Sequence, residues 1–76
     1  MEGFIQIGYS NMVNRARIIA VVSPDSAPVR RMIQDARDRG ALIDASSGKK
    51  TRSVIVMDSE QLILSAKSPE ELEMNE

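Results

Sequence analysis

Two short runs, Arg17-Ile18-Ile19-Ala20-Val21-Val22 and Arg52-Ser53-Val54-Ile55-Val56-Met57, are apolar at odd and even positions alike. Successive side chains of a strand point to opposite faces, so runs of this kind read as strands buried on both sides. Between them lies a strongly punctuated helix. Ser23 or Ser26 can cap its start and Pro24 or Pro28 suits its first turn, where a missing N–H costs little. Val29, Met32, Ile33 and Ala36 then follow at helical spacing and form one apolar face. Gly40 can close the helix in a left-handed conformation.

These elements carry a packing consequence. One helix covers one face of a small sheet, and the doubly apolar strands need a second layer on the other. A chain of 76 residues has no evident spare element to supply it. Homo-oligomerisation is therefore expected. Size points the same way, because so short a chain buries only about 60% of its unfolded surface, and small domains commonly lean on disulfides, metals or oligomerisation. There is no Cys and no His, which removes disulfides and the common zinc ligands and leaves few groups for acid-base or nucleophilic catalysis. An enzyme is not expected, nor any cofactor.

The remaining chain fits around this core. Phe4 to Tyr9 alternates as a short strand, Ser10-Asn11 makes a turn, and Met12 leads into the second strand, which runs to Val22. Ala41 to Met57, ALIDASSGKKTRSVIVM, reads as a hairpin of two apolar strands. Asp58-Ser59-Glu60 makes a further turn and Gln61 to Ala66 a last strand. The expected fold is a small α+β domain of order ββαββ, with at most one more short element: a mainly antiparallel sheet and one main helix over residues 1–68. Residues 69–76 read as an acidic, flexible tail with room for a helical turn at Pro69 to Leu72. Met32 and Met57 sit at core spacing. No apolar run reaches the roughly 20 residues of a membrane helix, and MEGFIQIG lacks the features of a signal peptide, so a cytoplasmic location is expected.

Charge is distributed unevenly. The net charge is −1, from ten Lys and Arg against eleven Asp and Glu. Four of the acids, Glu70, Glu71, Glu73 and Glu76, fall in residues 69–76, and without them ten cations face seven acids, a balance of +3. The hairpin tip Ser46-Ser47-Gly48-Lys49-Lys50-Thr51-Arg52 places three cations within four residues with no acid among them. On a strand, Lys50 and Arg52 would project to one side about 7 Å apart, close to the spacing of successive phosphates on a nucleic acid strand. The alternative is a solvated tip whose charges serve solubility and blunt a strand edge. Three charges bind weakly alone, whereas an oligomer presenting the tip repeatedly sums its contacts. On the helix, Arg30 and Arg31 are secondary candidates; the plainer reading is a solvated face with pairs such as Arg31 to Asp35.

The residues quoted so far carry a resemblance. Ser23 to Pro28 with Arg31 to Arg37, then Leu42-Ile43-Asp44-Ala45, Gly48 to Arg52, and Asp58-Ser59 with Ile63-Leu64-Ser65 resemble the RemA family, small bacterial proteins named for regulating extracellular matrix genes. The likeness spans nearly all of residues 3–68. It implies a DNA-binding transcriptional regulator whose subunits close into a ring of seven or eight, with double-stranded DNA along a basic outer surface. The family's DNA-contacting positions correspond to Arg17 in the second strand and to Lys49 and Lys50 at the tip; Arg52 and Arg15 are taken as supporting charges. Family members often carry Arg where this chain has Lys49 and Lys50. Lysine neutralises a phosphate but lacks the planar fork that pairs with guanine. The acidic tail is not part of the family pattern. The rival readings are a structural or protein-interaction ring that docks an acidic partner, and an RNA-binding protein.

Overall fold

The computed structural model describes residues 3–73. Six strands, two α-helices and one 3₁₀ turn follow one another: β1 (Phe4–Gly8), β2 (Asn11–Asn14), the 3₁₀ turn Arg15–Arg17, β3 (Ile18–Val22), α1 (Ala27–Asp38), β4 (Leu42–Asp44), β5 (Ser53–Met57), β6 (Leu62–Ser65) and α2 (Pro69–Glu73). The α+β class and the single main helix are as expected. The sheet is mixed, however: a four-stranded sheet in the order β3-β5-β6-β4 and a separate hairpin of β1 and β2.

The most consequential difference lies in residues 41–57. No hairpin joins β4 to β5. Strand β4 pairs parallel with β6, and β5 pairs antiparallel with both β6 and β3. Leu62-Ile63-Leu64-Ser65 is buried at every position and so takes a central place between β4 and β5. Local sequence favoured a hairpin, but burial of β6 on both faces decides the topology. The segment from Ala45 to Arg52 is thus an arch crossing the end of β6.

Helix α1 forms where its punctuation placed it. Ser26 is the N-cap, with its Oγ accepting from the Val29 N–H at 3.3 Å, and Pro28 lies in the first turn. At the other end Gly40 has φ 71°, its N–H reaches the Arg37 carbonyl at 3.1 Å, and the Ala41 N–H reaches that of Ala36 at 2.8 Å. Those two bonds satisfy carbonyls the helix would otherwise orphan. The helix lays Val29, Ile33 and Ala36 on Val54, Val56, Leu62 and Leu64. Met32, expected in the core, lies largely outside it at 39% exposed.

The sheet's second face is covered by the chain itself. Ile7 and Val13 of the hairpin and Leu72 of α2 pack with Ile55, Ile63 and Ala45. Ser65 Oγ donates to the Ile7 carbonyl at 2.7 Å and Ser53 Oγ to that of Lys67 at 2.7 Å, so the buried hydroxyls tie the layers together. The expectation that no element remained for this face is overturned, and with it the packing argument for oligomerisation. The missing element was split in two: residues 4–14 form a separate hairpin instead of sheet strands, and Leu72 draws the start of the acidic stretch inward.

The two doubly apolar runs behave differently. In β5, Val54 and Ile55 are both 0% exposed, one on each face. Each such burial is worth about 1.5–3 kcal/mol. β3 is an edge strand instead, with Ile19 66% exposed and a register shift between Ile18 and Ala20. The tail read from residue 69 onward is, over 69–73, helix α2 with Leu72 only 3% exposed; residues 74–76 lie outside the described residues. No helix among the described residues is long and apolar enough to cross a membrane.

Candidate functional site

The cationic arch is held by its backbone rather than by its side chains. Asp44 ends β4 and accepts from both the N–H and the hydroxyl of Ser46. These bonds keep the Asp44 carboxyl below its usual range, the Ser46 hydroxyl being the larger cause. Ser46 is buried, and its carbonyl accepts from the Lys49 N–H at 3.0 Å around a turn in which Ser47 and Gly48 have φ 53° and 78°. Arg52 closes the arch, its N–H donating to the Ser65 carbonyl at 2.8 Å. Lys49, Lys50 and Arg52 are exposed, and their side chains make no hydrogen bond or ion pair among the described residues.

Lys50 and Arg52 were expected on a strand; both precede β5. The 7 Å same-side spacing therefore has no strand to rest on. Lys50, Thr51 and Arg52 instead line a shallow notch of about 180 Å³ with Pro24, Asp25 and Ser68. Ser68 caps α2 by exchanging bonds with Glu71: its backbone N–H donates to Oε1 at 2.8 Å, and its Oγ accepts from the Glu71 N–H at 3.2 Å. The Glu71 carboxyl is held below its ordinary value by Ser68 first, and less by the nearby charges of Arg52 and Lys67.

Arg17 stands elsewhere. It closes the 3₁₀ turn before β3 rather than lying in a strand, and Asn14 opens that turn by accepting from the Ala16 N–H at 3.0 Å. Because β3 runs antiparallel to β5, Arg17 lies beside Asp58, at the opposite end of β5 from the arch. Six residue steps lead from Arg52 to Asp58, about 20 Å at ~3.3 Å each. One copy of the chain does not gather Arg17 with Lys49 and Lys50. Arg17 Nη1 donates to Asp58 Oδ2 at 3.2 Å.

Arg15 is half-buried and lines a cavity of about 440 Å³ with Ile5, Ile18, Val21, Pro69, Leu72 and Glu73. Arg30 and Arg31 are exposed on α1 and make no ion pair among the described residues. The Arg31–Asp35 pair expected on that face is not formed; Asp35 pairs with Arg39 Nε at 2.9 Å. Sequence reasoning missed Asp58 as the partner of Arg17. An acid 41 positions away leaves no local signal, and only the β3–β5 register brings the two together.

The arrangement is that of a small α+β domain that presents cations at both ends of one buried central strand. Comparison with known proteins identifies the group. A family model described as extracellular matrix regulatory protein A-like matches residues 4–75, and the chain belongs to this RemA-like family. Its relatives include extracellular matrix regulatory protein A of Bacillus subtilis (strain 168), 61% identical over 66 residues that cover 87% of this chain and 74% of the relative. A protein of Geobacillus kaustophilus named as regulatory is 61% identical over 70 residues, covering 92% and 80%. Another from Carboxydothermus hydrogenoformans is 58% identical over 67 residues, covering 88% and 77%. The family match extends to residue 75, past the residue 68 at which the resemblance read from the sequence ends.

Proposed function

We propose that the chain is a DNA-binding transcriptional regulator, acting on matrix-type genes as the name of its Bacillus relative suggests, and that it works as a homo-oligomeric ring whose repeated basic arches engage double-stranded DNA. The observation that carries this reading is the arch itself. Three exposed cations, Lys49, Lys50 and Arg52, make no side-chain hydrogen bond or ion pair among the described residues and stand on a backbone held by Asp44, Ser46 and Ser65. A rigid loop spends little entropy in presenting its charges, and unpaired cations release counterions when they meet phosphates.

Contact is to the DNA backbone, because Lys49 and Lys50 act as point charges and lack the fork that reads guanine. Arg17 supplies a second contact about 20 Å from the arch, at the far end of β5. Arg52 supports the arch. Arg15, set against the cavity under α2, contributes little, and Arg30 and Arg31 are outlying. Assembly multiplies a patch that is weak in one copy. Its support is no longer an uncovered sheet face but the open edge of β3, where Ile19 stands exposed.

The test is a gel shift with the Lys49→Ala/Lys50→Ala double variant at two salt concentrations. Binding should weaken across all duplex sequences, and the slope of log K against log salt should flatten by about 0.9 for each phosphate that is no longer neutralised. Retained affinity would sink the reading. Tighter binding of RNA than of duplex DNA at equal salt would favour an RNA-binding protein instead, and no nucleic acid binding would leave a protein-interaction ring.

A further inference from the structure

Arg17 is fastened twice to the turn after β5. Its carbonyl accepts from the Asp58 backbone N–H at 2.9 Å, and its Nη1 donates to Asp58 Oδ2 at 3.2 Å. The first bond is main-chain and holds residue 17 against the sheet whatever side chain stands at 58. Only the second needs the carboxylate. Charge and position can therefore be separated at this site by substitution.

The pair is open to solvent, with the two side chains 66% and 44% exposed. Water and salt screen such pairs, and another anion can take the carboxylate's place. Arg17 makes no other side-chain bond among the described residues, so Asp58 is the acceptor with which an incoming anion competes for its guanidinium. The arch cations differ, making no ion pair among the described residues, although Arg52 lies near enough to Glu71 to lower its carboxyl.

We infer that Asp58 is the counter-anion a DNA phosphate must displace from Arg17, and that it thereby sets the affinity and salt sensitivity of that end of the domain. The inference rests on the DNA-binding reading above. With the carboxylate in place, Arg17 is already partly neutralised and gains only the difference between two anions when DNA arrives. Without it, each copy presents one more free cation, and the gain repeats around an assembly. Asp58 does not touch DNA in this account; it acts through Arg17.

The experiment is a duplex titration by fluorescence anisotropy at several salt concentrations, with wild type, Asp58→Asn, Arg17→Ala and the double variant, each checked for an unchanged melting transition. Asp58→Asn should bind roughly 1.5- to 5-fold tighter for each copy engaged. Its salt slope should steepen by about 0.9 per Arg17 released. In the Arg17→Ala background the same substitution should leave affinity nearly unchanged. Asp58→Ser, which also removes the charge, should repeat the result should Asn disturb the turn.

Equal or weaker binding by Asp58→Asn would overturn the inference, weaker binding meaning that the carboxylate orients Arg17 for DNA. Equal tightening in the Arg17→Ala background would overturn it too, as a general charge effect. If wild type and every variant fail to bind duplex at any salt, the DNA-binding reading falls and the inference with it; binding by wild type without a change in Asp58→Asn removes the inference alone.

Discussion

The two ends of β5 offer cations in opposite ways. At its start, the arch holds its main chain through Asp44, Ser46 and Ser65, and Lys49, Lys50 and Arg52 make no side-chain hydrogen bond or ion pair among the described residues. At its finish, Arg17 has its side chain occupied by Asp58. A free charge on a pinned loop suits binding, whereas a paired charge suits adjustment. What they share is β5, whose Val54 and Ile55 are buried on opposite faces and whose length sets the distance between them.

The largest effect should come from breaking what the ends share. Ile55→Ala removes a fully buried side chain from the centre of β5 and should cost about 2–5 kcal/mol in chemical denaturation, lowering the function of both ends together. Next comes Leu72→Ala, which should cost a similar amount or somewhat less, since α2 is short and its site can collapse. A loss confined to fraying of α2, with the rest of the domain at wild-type stability, would show that the second layer is optional.

Acid separates the ends from each other. The Asp44 carboxyl is held below its ordinary value of 3.8 by Ser46. A carboxyl whose folded value is depressed stabilises the fold fully above its unfolded value, and that stabilisation is lost as pH falls through the folded one. The arch should therefore loosen below about pH 4, and the amides of Ser46 and Lys49 should lose protection there, relative to their intrinsic exchange, while the main-chain bond from Asp58 to the Arg17 carbonyl keeps its own. Asp44→Asn should remove most of this pH dependence. Smaller still, Arg39→Ala on α1 should change stability by no more than about 1 kcal/mol, because its pair with Asp35 is exposed.

Much of this molecule was legible in the sequence. Ser23 or Ser26, Pro24 or Pro28, and Gly40 marked both ends of α1 through local chemistry, and the structure selects Ser26 and Pro28. Val54 and Ile55 announced a doubly buried strand. The failures in topology share one cause: sequence pattern reports burial and turns, but not which strand lies beside which. Ala41 to Met57 has the pattern of a hairpin, and only the competing claim of Leu62 to Ser65 on the sheet centre makes it a crossover. The same blindness placed Arg17 in a strand and hid Asp58 beside it. For the candidate site, the free cations of the arch were visible as a charge cluster, whereas the offset of Arg17, about 20 Å, depended on strand order.

That offset makes assembly central to the account, since one arch alone is a weak site and the far end lies away from it. The most direct measurement is duplex affinity on a series of graded lengths, made on the assembled protein with its solution mass determined alongside. The account predicts an oligomer whose affinity climbs with duplex length as successive arches engage, and whose salt dependence steepens in step. A monomer, or affinity that is flat with length at constant salt slope, would contradict it.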